Sequence, residues 1–237
     1  PGLTGMADLP PAMPPLRRQL LLSRMIMVQD ATMSAAHAAR LANELGRLID
    51  EVRTERLDFS DLENIVPERF SQHWQETLVF LQIVTEHWPA ILAEHGCLDA
   101  ADRRNRLIEA QIALWQEAPP AGPVIAAGST GSIPATADLL ACVTRLKDGL
   151  LVLPGLDKTL DAESLEALGP SHPQYGMARL LRRIGLDVED VADWRPAPDN
   201  RNPRIDTVNG ALRPPATAAS VSLSPDIGPA FAGVRRI

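Results

Sequence analysis

Two short apolar runs, Val124-Ile125-Ala126-Ala127 and Leu150-Leu151-Val152-Leu153, stand on either side of one helical stretch. This pattern restricts the fold more than any other in the chain. Neither run alternates with polar residues, as expected of parallel strands buried on both faces. Gly128-Ser129-Thr130-Gly131-Ser132 turns the chain after the first run. Pro134 then suits the first position of a helix capped by Ser132 and reaching about Lys147, and Asp148-Gly149 ends it. Strand, helix and strand within about 30 residues form a βαβ unit, whose crossover is right-handed.

Upstream the period is helical. A helix is expected from Pro15 on, with Leu20, Leu21, Met25 and Ile26 inward. A second runs from an N-cap at Ser34 to Leu57, with Leu41, Leu45, Leu48 and Val52 on one face. A third, residues 67–95, carries Trp74, Leu78, Leu81, Val84, Trp88 and Ile91, and Pro89 should kink or split it. Asp99 can cap a fourth reaching Glu117, with Leu107, Ile108, Ile112 and Trp115 inward. Beyond Pro154, shorter helices are expected at 162–168, 172–184, 188–193 and 204–212. The sequence therefore divides into a proline-rich lead-in (1–15), a helical subdomain (16–118), the βαβ part (119–195) and a proline-rich connector (196–237).

Composition narrows the chemistry. The 237 residues are 45% hydrophobic and carry a net charge of −7, which excludes DNA binding through a broad basic face. Contact with nucleic acid would fall to a few arginines, such as Arg103, Arg104 and Arg106, although Asp99, Asp102 and Glu109 stand close enough to pair with them. Two cysteines, Cys97 and Cys142, are too few for a disulfide framework, a zinc site or an iron–sulfur cluster, and they suit a reducing, cytoplasmic setting. His37, His73, His87, His95 and His172 have no metal-ligand spacing. Trp74, Trp88 and Trp115 lie in apolar faces, which favours packing over base stacking. Ser129, Ser132 and Ser171 have no visible triad partners.

The 128–132 loop follows a strand and opens a helix, where open α/β sheets bind phosphate. It has neither the lysine of a Walker A loop nor a dinucleotide fingerprint, so anion site and tight capped turn both remain open. A P-loop motor also requires an acid at the tip of a neighbouring strand to hold Mg²⁺. Ala127 and Gly128 occupy this tip, and Pro154-Gly155-Leu156-Asp157-Lys158 occupies the place of a polar sensor. Asp157 reads more readily as a turn residue.

Residues 122–140, from Gly122 through the 128–132 loop to Leu140, are similar to a signature of alphaproteobacterial AddB proteins. Other matching runs are Thr54-Glu55-Arg56-Leu57-Asp58-Phe59, residues 80–94, Arg103-Arg104-Asn105-Arg106-Leu107, Leu153-Pro154-Gly155-Leu156-Asp157 and Gly169-Pro170-Ser171-His172-Pro173-Gln174. The resemblance spans about residues 9–195, with its motifs in order, and marks the chain as an internal segment. It implies an α/β fold with a large all-α subdomain: an incomplete RecA-like, superfamily-1 helicase-type parallel sheet bearing a helical insertion. The 124–127 strand would correspond to a degenerate Walker B strand and the 150–153 strand to the sensor strand. The implied function is a catalytically inactive scaffold for DNA tracking or hotspot recognition in double-strand break repair. Implied partners are an AddA-type helicase–nuclease subunit, DNA ends and the unwound single strand, with no membrane. ATP and Mg²⁺ would belong to the partner motor and an iron–sulfur cluster to a C-terminal region beyond this chain, so no cofactor is expected here. The competing readings are a stand-alone nucleotide- or phosphate-binding α/β protein and a pure subunit-docking module.

Overall fold

A computed structural model describes residues 8–57, 59, 83–194 and 203–217. They form a mostly helical protein with one small parallel sheet, an α/β architecture with a large helical part. The chain divides into two compact units, one of residues 1–119 with 133–135, the other of 120–132 with 136–237.

In the first unit, α1 (Pro15–Gln29) packs on α2 (Ala35–Glu55). Pro15 opens α1, where its missing N–H costs nothing, and Ser34 Oγ accepts the His37 N–H to cap α2. The buried face of α2 is Ala38, Ala42, Leu45, Gly46, Ile49 and Val52. Leu48, expected inward, is 38% exposed. The small residues Ala38, Ala42 and Gly46 decide which face turns inward, because they let α1 approach closely.

Of the expected third helix, residues 67–82 (including Trp74, Leu78 and Leu81) lie outside the described residues. The rest is a π-helical turn, Ile83–His87, leading into α3 (Trp88–Glu94). Pro89 would clash with the carbonyl four residues earlier in a regular helix, and a wider turn just before it removes this conflict. Ile83, Val84 and Trp88 are each about 1% exposed and complete a core with Leu22, Ile26 and Ile49. In α4 (Ala100–Glu117) the buried positions are Ala101 and Asn105, whereas Leu107, Ile108, Ile112 and Trp115 are only half-buried. Residues 8–14 are tied down: Met13 N–H donates to Leu98 O, Leu98 N–H to Pro11 O, and Met13 itself is buried.

In the second unit, β1 (Val124–Ala127) pairs in parallel with β2 (Gly149–Val152), with Val124 opposite Gly149 and Ala127 opposite Val152. The expected connection is therefore present. Burial on both faces is not: Ile125 is 60% and Leu150 40% exposed, so β1 alternates and β2 turns Leu150 outward. Runs of four residues are too short to separate the two patterns by sequence. The crossover helix α5 (Pro134–Val143) stops four residues short of Lys147. Here the backbone folds back so tightly that a Cβ at Gly149 would lie 1.9 Å from Val143 O. Ala137 and Leu140 of α5, Ala126 of β1 and Leu151 of β2 pack with Leu180 of α7 (Tyr175–Ile184). Beside them, α6 (Ala162–Glu166), capped by Asp161 Oδ1 accepting from Ser164 N–H, contributes to a smaller core of Leu160, Leu168 and Ala178. A short 3₁₀ turn (Val188–Asp190) and α8 (Pro203–Leu212) follow.

Candidate functional site

The 128–132 loop is a constrained turn. Gly128 and Gly131 take φ of +80° and +64°, a region that L side chains rarely enter. Gly131 N–H donates to Ser129 Oγ at 3.3 Å. Gly131 is buried, and a Cβ there would lie 2.9 Å from Leu180 Cδ2. On the other side, Gly176 at the start of α7 leaves room for the Thr130 carbonyl, 3.2 Å from where a Cβ would stand. A phosphate cradle needs convergent, unused N–H groups. One such group is spent on Ser129, and the loop's inner side is filled by Leu180 and Gly176, an arrangement that favours the tight-turn reading. Ala127, Gly128 and Ser132 are exposed, so the strand tip offers solvent a methyl group, a bare backbone and one hydroxyl.

The turn after β2 is stitched to a distant segment. Gly155 has φ of +62°. Gln174 Nε2 donates to Gly155 O at 2.9 Å, and its Oε1 accepts the Asp157 N–H at 3.1 Å. Asp157 is buried, and its Oδ1 accepts both the N–H and the hydroxyl of Thr159, at 2.9 and 2.7 Å. This is an Asx turn, a structural task that leaves the carboxylate facing its own loop. Lys158 Nζ donates to Val191 O at 2.7 Å and lies 3.5 Å from Asp193. Pro154, Gly155, Asp157 and Lys158 thus fix the path from β2 toward α6. His172 bridges in the same region, with Nε2 2.6 Å from Leu212 O and Nδ1 accepting the Gln174 N–H at 3.1 Å, which sets the neutral Nε2–H tautomer.

The arginines of α4 are divided among separate partners. Arg103 Nε donates to Pro10 O at 3.0 Å, Arg104 to Thr54 Oγ1 at 2.9 Å, and Arg106 pairs with Asp102 at 3.1 Å. Glu109 pairs with Arg56 at 2.8 Å, and Asp99 faces away from the cluster. Arg106 keeps an exposed guanidinium, while Arg103 anchors the 8–14 segment.

The strongest buried electrostatic group escaped the sequence reading. Asp99, 3% exposed, occupies the N-cap position of α4 but makes no capping bond. Its carboxylate accepts from Trp88 Nε1 and lies 3.1 Å from Arg18 Nη2, while Arg18 Nη1 reaches Asp50 Oδ2 at 2.9 Å. Burial pushes the Asp99 carboxyl above its ordinary range, opposed by Arg18 and by the Trp88 hydrogen bond. Arg18 Nε and Asp50 Oδ1 are buried without a hydrogen-bond partner. This group joins α1, α2, α3 and α4 and is a packing device. No local signal could have revealed it, since its members are spread over 82 positions of sequence.

Among the described residues, no three His, Cys, Asp or Glu side chains converge as a metal site would require, and no helix is long and apolar enough to cross a membrane. Cys97 Sγ contacts His95 O, and Cys142 is buried. The chain matches no protein-family model, no curated protein and no solved structure with which it was compared.

Proposed function

We propose that the chain is a helicase-like, non-catalytic segment of an AddB-type subunit, guiding DNA in a cytoplasmic helicase–nuclease that repairs double-strand breaks. On this reading the β1–α5–β2 unit is part of a RecA-like, superfamily-1 sheet, and the helical unit is an insertion into it. One observation carries the proposal: a parallel βαβ unit ends its first strand at Ala127 and Gly128, where a motor would need a carboxylate for Mg²⁺. The ordered motif resemblance over residues 9–195 supplies the family. The engaged state of the 128–132 loop supports a scaffold over a stand-alone phosphate binder.

ATP and Mg²⁺ then belong to an AddA-type partner, and an iron–sulfur cluster to a part of the subunit outside residues 1–237. The test is a purified chain assayed for ATP hydrolysis with and without duplex DNA ends, then mixed with an AddA-type subunit. The expected result is no turnover alone and co-migration with the partner. DNA-stimulated hydrolysis by the chain alone would overturn the reading, as would a failure to associate with the partner.

A further inference from the structure

The outer face of α1 combines exposed aliphatic side chains with arginines. The chain holds 30 acidic residues against 23 basic ones, yet α1 contains three arginines and no acid. Arg18 turns inward to Asp50 and Asp99, and Arg17 and Arg24 remain outside. Arg17 reaches His95 Nδ1 at 3.3 Å, and Arg24 makes no ion pair among the described residues. Interleaved with these arginines are Leu16, Leu20 and Val28, exposed by 68, 61 and 77%. On a helical projection Leu20, Arg24, Arg17, Val28 and Leu21 follow one another around a single face.

That face borders a groove of about 450 Å³ between α1 and residues 83–94 of the same unit. Leu21, Met25, Ile83 and Ile91 form an apolar floor, and Arg17, Arg24 and His95 stand at the rim with one carboxylate, Glu94. The π-helical turn contributes to the wall, and such turns recur at functional sites. Arginine is among the residues that protein interfaces favour, and here Arg17 and Arg24 stand among exposed Leu16, Leu20 and Val28. A phosphate backbone would engage the arginines but leave Leu16, Leu20 and Val28 in water, and among the described residues no Trp, Tyr or Phe lines the groove for base stacking, its rings being the imidazoles of His87 and His95.

We propose that this groove and the outer face of α1 dock an acidic amphipathic helix of a partner protein. Its leucine-type anchors would enter the floor at i, i+3, i+4 and i+7 spacing, and its carboxylates would meet Arg17 and Arg24. Docking here rests on α1 and residues 83–94 and stands independently of any role of the β1–β2 unit.

The probe is a fluorescein-labelled amphipathic peptide of about 18 residues, long enough to run beside α1, with leucines at that spacing and glutamates elsewhere. Three controls accompany it: a scrambled peptide, a version with lysine for glutamate, and an oligothymidylate. Anisotropy titrations use the full chain, and thermal melts establish that each variant folds. The glutamate peptide should bind, Arg24→Glu should weaken it by about tenfold and turn preference toward the lysine peptide, and Val28→Ser should weaken it as well. Absence of binding, equal binding of the scrambled peptide or indifference to Arg24→Glu would overturn the proposal. So would oligothymidylate binding tighter than that of the peptide and lost in Arg24→Glu, which would assign the face to nucleic acid.

Discussion

Trp88 Nε1 donates to both carboxylate oxygens of Asp99, at 3.2 and 3.0 Å, although Asp99 stands where it could cap α4. An indole N–H buried in an aliphatic core needs an acceptor, and the carboxylate also serves as counter-ion to Arg18. The helix end gives up one capping bond, while the Trp88 N–H gains an acceptor and Arg18 a buried counter-ion.

Asp99→Ala would leave Arg18 with Asp50 alone and Trp88 without an acceptor. Removing one member of a buried pair costs roughly 3–5 kcal/mol, to be read as a lower urea midpoint. Asp99→Asn tests the charge itself. Because burial raises the folded pKa above 3.8, the favourable contribution is fully present below that value and is lost as pH rises through the folded pKa. Wild type should therefore lose stability relative to Asp99→Asn as pH rises from about 4 toward neutrality. Parallel profiles would show that Asp99 does not titrate differently in the folded state.

Gly131→Ala should destabilise the second unit. The new methyl group would meet Leu180 Cδ2 at 2.9 Å with the backbone held at φ +64°. Strain and overpacking together suggest a loss of about 1–3 kcal/mol by chemical denaturation.

Gly46→Ala should have the opposite sign. Gly46 lies inside α2, and a Cβ there would find Arg18 and Leu22 at 3.8–3.9 Å, ordinary contact distances. The helix then gains up to about 1 kcal/mol of propensity. A higher melting temperature is the expected readout, and a lower one would show that Arg18 needs the space.

Arg103→Ala and Arg106→Ala should separate tethering from surface charge. The first removes a charged hydrogen bond to Pro10 O, worth about 1.5–3 kcal/mol, and should speed proteolysis within residues 8–14. The second removes an exposed pair four residues apart and should cost about 0.5 kcal/mol or less.

Much of this architecture was legible because local chemistry agreed with the fold. Ser34 caps α2, Pro15 opens α1, and two apolar runs around one helix give a parallel pair. Pro89 announced a break whose form, a π turn, depends on packing around Trp88. The inward faces of α2 and α4 were misjudged at Leu48 and Trp115, since periodicity reports large apolar residues while close packing selects small ones such as Ala38, Ala42 and Ala101. Strand exposure at Ile125 and Leu150 was hidden by the shortness of each run. The 128–132 loop was visible as a turn, but its contacts with Leu180 and Gly176 arise from residues over 40 positions away. The arginine face of α1 carried a readable signal, a helix without acids in an acidic chain, that pattern-matching for catalytic motifs passes over.

The π turn also has a geometric effect on what the core can contain. At 100° per residue, Ile83 would stand about 140° away from Trp88 and would point toward water. The wider π turn swings Ile83 round toward the side of Trp88 while Val84 stays alongside, so three bulky side chains enter the interior from six consecutive positions. Deleting one residue from 83–87 would expel one of the three and bring back the clash at Pro89 that the wider turn relieves.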